Sequence, residues 1–101
     1  MFVALWEYEV KPGDEERFEK AYGPDGDWVR LFRSDTHYHE TRLARDSLRR
    51  GVYLTMDFWE SREGYEEFMA RRRAEYEAID GASEALTIGE RRVGWFEKVD
   101  E

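Results

Sequence analysis

Two histidines separated by one residue are the side chains with the widest choice of chemistry in this sequence. His37 and His39 stand in SDTHYHETRLARD, which reads as an extended, mostly polar strand from about Thr36 to Arg45. Because side chains alternate along a strand, both imidazoles are expected on one face. They could act as a general base or donate a hydrogen bond to a ligand oxygen. They could equally lie, without a chemical role, on a solvated edge strand.

A metal site would need a third and usually a fourth ligand beside the two histidines. Asp57, Glu7 or Glu9 could supply one from other strands, but nothing in the sequence places them close. The chain contains no cysteine, so thiolate ligands, a thiolate nucleophile and disulfides are all excluded. We therefore expect no metal.

Three successive arginines, Arg71 to Arg73, follow in a predicted helix. Arg72 lies on the apolar stripe of that helix, seven residues after Tyr65 and four after Phe68. There it could pair with a buried acid or an anionic ligand. The alternative is that its guanidinium extends past the edge of the core while its stem packs.

Aromatic residues make up 16% of the chain, which is a large ring content for so small a core. Such rings can compensate for small size or line a cavity for a flat organic ligand. The rings predicted to contact a substrate are those of Trp28, Phe32, Tyr53, Tyr65 and Phe68. Trp59 could be a wall of that site or could close the end of the core. The candidate catalytic residues are His37, His39, Trp59 and Arg72.

Hydrophobic periodicity defines the elements that must position these side chains. Strands are predicted at Phe2–Val10, 36–45, Val52–Trp59 and 87–99. Helices are predicted from Asp14 to Tyr22, around Trp28, and from the capping residue Ser61 to Gly81. The order β-α-β-β-α-β is the ferredoxin-like α+β arrangement, a single domain over 1–101 in which helices cover one face of a four-stranded antiparallel sheet.

Both faces of this predicted sheet carry apolar residues. The third strand has one face formed by Val52, Leu54, Met56 and Phe58. Its other face is formed by Tyr53, Thr55, Asp57 and Trp59. Because two helices can cover only one face, the second face needs another cover, and a second copy of the chain is the obvious one. The polar second strand lies at an edge of the sheet, where its charges discourage aggregation.

Net charge and hydropathy exclude several classes of partner. The formal net charge of −8 disfavours binding to a nucleic acid backbone. In RGVYLTMDF, Val52 and Leu54 occupy positions where RNA-recognition domains of this topology carry stacking rings. No apolar run approaches the roughly 20 residues that span a bilayer, and MFVALWEYEV lacks the basic segment of a signal peptide. We expect a cytoplasmic protein.

Three features together resemble the antibiotic biosynthesis monooxygenase family, whose members are dimeric α+β barrels. They are the N-terminal ALWEYEVKPGDEERFEKAY, the strand-to-helix junction YLTMDFWESREGYEEFMARR and the element order. The resemblance implies a homodimer and, among its enzymes, either cofactor-independent oxidation of aromatic or quinol-type substrates or heme degradation. Trp59 resembles the tryptophan found at this junction in many members.

Two departures from the family pattern argue against heme degradation. Heme-degrading relatives use a histidine on the second long helix and an asparagine in the first strand. This chain has no histidine on that helix and no asparagine at all. The resemblance therefore implies a cofactor-independent monooxygenase acting on a small aromatic or quinol-type molecule. The alternative is a non-catalytic, ligand-binding or stress-associated dimer of the same fold.

Overall fold

The computed structural model describes residues 1–99 and has the element order expected from the sequence. Its strands are β1 (Phe2–Val10), β2 (Tyr38–Arg45), β3 (Val52–Trp59) and β4 (Thr87–Glu97). Its helices are α1 (Glu15–Tyr22), α2 (Asp27–Phe32), α3 (Arg62–Arg71) and α4 (Arg73–Ser83), and a 3-10 turn at Glu84–Leu86 precedes β4. The β-α-β-β-α-β order is thus confirmed, with each helical segment divided in two.

The four strands form one antiparallel sheet in the order β2-β3-β1-β4. Strand β1 pairs with β3 on one side and with β4 on the other, while β2 pairs only with β3. This is the strand order of the ferredoxin-like α+β fold. The second strand therefore lies at an edge, as the sequence predicts.

The core between the helices and the inner face of the sheet consists largely of aromatic rings. Trp59, Phe2, Phe18 and Phe68 are the largest side chains that are fully buried. Their rings are in contact with further rings, as where Phe18 stacks on Tyr22 with centroids 4.2 Å apart. Because each aromatic ring buries about 150–250 Å², these rings supply apolar area that a small domain otherwise lacks.

The outer face of the sheet has an apolar centre, and no helix within residues 1–99 covers it. Val3 lies beside Phe58 of β3 and beside Phe96 of β4, so these three side chains form a row across three strands. Leu5 and Met56 form the next row. Phe96 is 48% exposed. The predicted second apolar face is therefore present, and within residues 1–99 the helices all pack on the opposite one.

Three register shifts interrupt the sheet, and two of them adjust which side chains face the helices. In the β1–β4 pair the register shifts between Leu5 and Trp6, opposite Val93, so that Trp95 contacts Phe2 in the core. In the β2–β3 pair the register shifts between Tyr38 and Glu40, at His39. A bulge adds one residue to a strand and changes the side-chain alternation locally. The strict alternation assumed for the second strand is therefore wrong at its start.

The long helix predicted from Ser61 to Gly81 is divided. Ser61 caps it as expected, since its hydroxyl accepts the Gly64 amide at 3.0 Å. Arg72, with φ −111° and ψ 28°, separates α3 from α4, and α4 continues past Gly81 to Ser83. The prediction that Gly81 ends the helix is wrong. Its backbone does not adopt the positive φ of a glycine cap, and the helix continues through it. None of the helices within residues 1–99 has the length and apolar character required to cross a membrane.

Replacement of Ser61 by Ala tests the cap of α3. The Gly64 amide would lose its acceptor, and we expect the free energy of unfolding to fall by about 1 kcal/mol. Chemical denaturation at fixed protein concentration measures the change. Ser47→Ala, in the exposed turn between β2 and β3, is the control and should change stability by less than about 0.5 kcal/mol. Equal losses in the two variants would contradict the assigned cap.

Candidate functional site

A small cavity lies between the inner face of the sheet and the helices. Its volume is about 30 Å³, which is room for one or two water molecules. Residues from β1, β2 and β3 and from all four helices line it: Trp6, Tyr8, Tyr22, Trp28, Phe32, Thr41, Thr55, Asp57, Tyr65 and Tyr76. Seven of these ten side chains are aromatic, and Asp57 is the one that carries a formal charge.

Asp57 is held in place by a chain of hydroxyl groups that starts at the edge strand. The Thr41 hydroxyl donates to Asp57 Oδ1 at 2.7 Å, and the Tyr38 hydroxyl donates to Thr41 Oγ1 at 2.8 Å. The second carboxylate oxygen is not engaged by this chain. The geometry therefore fixes one oxygen of Asp57 and leaves the other available to a molecule in the cavity.

Burial changes the acidity of Asp57. It raises the pKa of this carboxyl from 3.8 to about 6, against the opposing effect of the Thr41 hydroxyl. A carboxyl with a pKa near 6 exists in both protonation states close to neutral pH, which is the property a general base needs.

The tyrosine hydroxyls around the cavity stay protonated at neutral pH. Burial raises the pKa of Tyr22 and of Tyr65 to about 12, and it raises the pKa of Tyr8 and Tyr76 well above the ordinary value. Protonated hydroxyls can donate hydrogen bonds to an oxygen that carries negative charge. The cavity thus combines one titrating carboxyl with several fixed donors in an apolar wall.

The alternation of β3 explains why Asp57 faces the cavity. The residues on the same face of the strand as Asp57 are all buried on the helix side. They are Tyr53, Thr55 and Trp59. Thr41 lies directly opposite Asp57 on β2, and Ala4 lies opposite it on β1. Ala4 is small, so the carboxyl has space beside the central strand. Sequence and pairing together produce this polar position.

Three of the five predicted substrate-binding residues line the cavity. They are Trp28, Phe32 and Tyr65. Phe68 is fully buried behind Phe32 and Trp59 and does not reach it. Tyr53 lies elsewhere, because its hydroxyl donates to Glu19 of α1 at 2.5 Å.

The two histidines lie outside the cavity and do not share one strand face. His37 lies in the turn before β2, where the Asp35 carboxylate accepts its backbone amide at 2.7 Å and holds its Nδ1 at 2.9 Å. Its ring packs so closely on Gly64 that a Cβ there would approach it to 2.7 Å. His39, at the bulge, pairs with Glu60 at 3.0 Å on the surface. The turn at His37 also explains why β2 begins at Tyr38.

The Asp35 carboxylate beside His37 is a structural anchor. It is buried, and Arg71 of α3 donates to its second oxygen. Burial alone would raise the pKa of Asp35, but the hydrogen bonds from His37 and Arg71 hold it below the ordinary value. This ionised carboxylate therefore joins the turn before β2 to the end of α3.

Trp59 and Arg72 also lie away from the cavity. Trp59 is completely buried among the rings of Phe32, Tyr38 and Tyr65, so it belongs to the core. Arg72 stands at the junction of α3 and α4 and donates to Glu75 at 2.6 Å. The four predicted catalytic residues are not brought together, and the candidate acid–base group is Asp57 instead.

No group of three or more histidine, aspartate and glutamate side chains within residues 1–99 is arranged to hold a metal ion. The two histidines each face a different single carboxylate. The third ligand considered from the sequence, Asp57, lies in the cavity beside Thr41. The geometry therefore gives no assembled ligand set around the His-x-His pair.

One feature of the sequence could have indicated Asp57 as the candidate base. It is a carboxylate on the same face as Tyr53, Thr55 and Trp59 in the most apolar strand. An acid on the buried face of a central strand needs an explanation. The contributions of Thr41, Tyr8, Tyr22 and Tyr76 depend on packing across strands and helices, which a linear pattern does not reveal.

The profile of the family described as Antibiotic biosynthesis monooxygenase matches residues 1–79 of this chain. The chain belongs to the antibiotic biosynthesis monooxygenase family. The matched residues include all ten side chains that line the cavity. The chain matches no curated protein sequence at a significant level.

Solved structures of similar fold include several described as members of this family. SnoaB from Streptomyces nogalater, described as a cofactor-independent oxygenase, superposes with a TM-score of 0.77 at 15% identity, over 99% of this chain and 94% of SnoaB. A putative antibiotic biosynthesis monooxygenase from Bordetella bronchiseptica gives 0.74 at 18% identity, over 97% and 96% of the two chains. One from Nitrosomonas europaea gives 0.71 at 10%, over 99% and 100%. At these identities the likeness concerns the fold.

The raised pKa of Asp57 predicts how stability depends on pH in this family member. Between pH 3.8 and about 6 the unfolded chain loses the Asp57 proton before the folded chain does, so stability falls as pH rises. One unit of pKa difference corresponds to about 1.4 kcal/mol, so above pH 6 the raised pKa lowers the free energy of unfolding by about 3 kcal/mol. The Asp57→Asn variant keeps an acceptor for Thr41 and has no group that ionises at this position. Relative to wild type, its free energy of unfolding should therefore increase by that amount between pH 3.5 and pH 8.

Asp46→Asn is the matched control for this measurement. Amides of Leu48 and Arg49 hold the pKa of Asp46 down at about 2, so its ionised form stabilises the fold and that stability is lost as pH falls. This variant should lose stability relative to wild type as pH rises from 2 to 4, the opposite sign to Asp57→Asn. Denaturant titrations across pH give both trends. Identical trends for the two variants would remove the assigned environment of Asp57.

Proposed function

We propose that this protein is a cofactor-independent oxygenase that binds a small aromatic or quinol-type molecule in the cavity and deprotonates it with Asp57. The observation that carries the proposal is one carboxyl, with its pKa raised to about 6, in a cavity whose wall is otherwise mainly aromatic. Membership of the monooxygenase family is consistent with this activity.

The proposed reaction begins with proton transfer. Ionised Asp57 takes a proton from a ring methylene beside a conjugated carbonyl, and the resulting carbanion spreads its charge onto the carbonyl oxygen. Protonated tyrosine hydroxyls such as those of Tyr22 and Tyr65 stabilise that oxygen. The aromatic wall orients the ring and excludes water, which strengthens each of these interactions.

Dioxygen then acts as the oxidant. The carbanion gives one electron to dioxygen, and the radical and superoxide combine to form a carbon–oxygen bond. Protonated Asp57 returns its proton to the peroxide. Loss of the second methylene hydrogen as a proton, with cleavage of the oxygen–oxygen bond, leaves a ring carbonyl and one water. One methylene and one dioxygen are consumed, so the atoms and electrons balance without a further reductant.

Oxygen uptake with anthrone as substrate tests this proposal. Asp57→Asn should lower the rate at least about 100-fold, because the variant has no base in the cavity. The wild-type rate should rise with pH through about 6 and then level off, since only ionised Asp57 accepts the proton. His39→Gln is the matched control, because His39 lies outside the cavity, and it should retain the wild-type rate.

Other outcomes would reject the assignment. Full activity in Asp57→Asn, or its loss in His39→Gln, would show that another group removes the proton. Binding of anthrone without oxygen uptake would favour the second candidate, a ligand-binding protein of the same fold. The aromatic wall of the cavity supports that candidate, because it can bind a flat ring without any chemical step.

We also propose that the protein forms a homodimer through the outer face of the sheet and acts in the cytoplasm. The row of Val3, Phe58 and Phe96 and the neighbouring row of Leu5 and Met56 support the dimer, because a continuous apolar sheet face is costly to leave in water. The cytoplasmic location is an expectation from the absence of cysteine.

Analytical ultracentrifugation at micromolar concentration tests the dimer. Wild type should sediment as two copies of 12.2 kDa. Phe58→Glu places a charge in the middle of the outer face and should yield the single chain. Leu48→Glu is the control, because Leu48 is 93% exposed in the turn between β2 and β3, and it should leave the dimer intact. A wild-type particle of 12.2 kDa would contradict the proposal.

A further inference from the structure

A groove on the protein surface adjoins the cavity. It lies between α3, α4 and β4 and has a volume of about 630 Å³, against about 30 Å³ for the cavity. Tyr65 and Tyr76 line both spaces, so these two rings form the partition between them. Met69 and Trp95 provide apolar surface inside the groove.

The cavity is too small for an aromatic ligand. A cavity of about 150 Å³ accommodates benzene, which is several times the space present here. A ring can therefore bind there only if part of the wall moves. The wall formed by Tyr65 and Tyr76 has the open space of the groove behind it.

We propose that the groove is the route by which the ligand reaches the cavity and that Tyr76 is the gate between the two. This inference rests on the proposed function for the nature of the ligand, but the route itself is a property of the partition. The ligand class is a flat, neutral aromatic molecule with one weakly acidic hydrogen.

The two rings of the partition differ in how firmly they are held. Tyr65 is 7% exposed and its ring contacts those of Phe2, Trp59 and Trp95, at centroid distances of 5.3, 5.4 and 5.8 Å. Tyr76 is only partly buried, and its one aromatic contact within residues 1–99 is with Trp28, at 4.9 Å. Tyr65 is thus fixed by the core, while Tyr76 can move away from it.

The helix that carries Tyr76 is attached more weakly than its neighbour. Within α4 only Ser83 is buried, whereas α3 buries Gly64, Tyr65 and Phe68. Arg72 departs from helical geometry between the two helices. Rotation about this junction can therefore displace α4 while α3 keeps its place in the core, because the division already interrupts the regular helix.

Charged side chains of both signs surround the groove. Glu66 pairs with Arg62, and Glu77 lies 3.7 Å from Arg73. The guanidinium groups of Arg62 and Arg92 lie over the Trp95 ring, each 4.7 Å from its centroid. The apolar surface of the groove, and not a net charge, therefore suits a neutral aromatic ligand.

Stopped-flow tryptophan fluorescence with 2-naphthol, under nitrogen, tests the gate without any oxidation. Tyr76→Ala removes the ring, and we expect the association and dissociation rate constants both to rise about tenfold or more, as opening a lid does. Tyr76→Phe is the matched control: it keeps the ring and should keep the wild-type rates. Thermal unfolding by circular dichroism verifies that each variant is folded.

Two results would overturn the inference. They are unchanged rates in Tyr76→Ala and the absence of any fluorescence change with 2-naphthol.

These results are separable from those of the oxygen-uptake assay. Oxygen uptake that depends on Asp57, together with rates unaffected by Tyr76→Ala, would leave the proposed function intact and reject the gate. If Tyr76→Ala changes the binding rates of 2-naphthol but the protein takes up no oxygen with anthrone, the proposed gate is retained and the proposed oxygenase activity is rejected.

Discussion

The two-residue period of β3 is the constraint on which the rest of the structure depends. Side chains alternate along this strand. Those of Tyr53, Thr55, Asp57 and Trp59 point towards the helices, and the aliphatic side chains and Phe58 lie on the outer face. A shift of the register by one residue would exchange the two sets. Core, cavity carboxyl and apolar outer surface are therefore fixed together, by the pairing of this strand with β1 and β2.

The same alternation places an ionisable side chain, Asp57, on the inner face of the sheet, where it lowers the stability of the fold. An apolar residue at position 57 would spare the fold the energy of burying an ionisable group. The Thr41 hydroxyl recovers part of this energy by donating to the carboxylate, and Tyr38 extends the support to the edge of the sheet. A destabilised ionisable group in a cavity is a pattern more typical of function than of packing. The tightly packed rings around it supply the stability that tolerates such a position.

Long, strongly alternating elements could be predicted from the sequence, whereas local departures from regularity could not. The bounds of β1 and β3 agree with the predicted Phe2–Val10 and Val52–Trp59 because each has an uninterrupted two-residue period. The start of β2 was misplaced because the Asp35 side chain forms a turn with His37. The division at Arg72 has no signal, since arginine favours helices and neither glycine nor proline is present there.

The candidate site was predicted in part for a related reason. Ring positions follow from which face of an element is apolar, so Trp28, Phe32 and Tyr65 were found. The polar partner depends on which residues of different strands lie side by side, and the histidines drew attention because their chemistry is versatile. The bulge at His39 and the turn at His37 direct both imidazoles away from the cavity.

The small cavity and the weakly attached α4 belong to one arrangement. A cavity that excludes water strengthens the electrostatic interactions at Asp57, but a cavity of about 30 Å³ has no room for an aromatic ring. One ring of its wall, Tyr76, lies on a helix with a single buried residue, beyond a break in the helix axis. Under the proposed gate, movement of this ring enlarges the cavity when a ligand binds. The rigid aromatic core then holds Asp57 and Thr41 in place, because Tyr65 and Trp59 need not move when Tyr76 does.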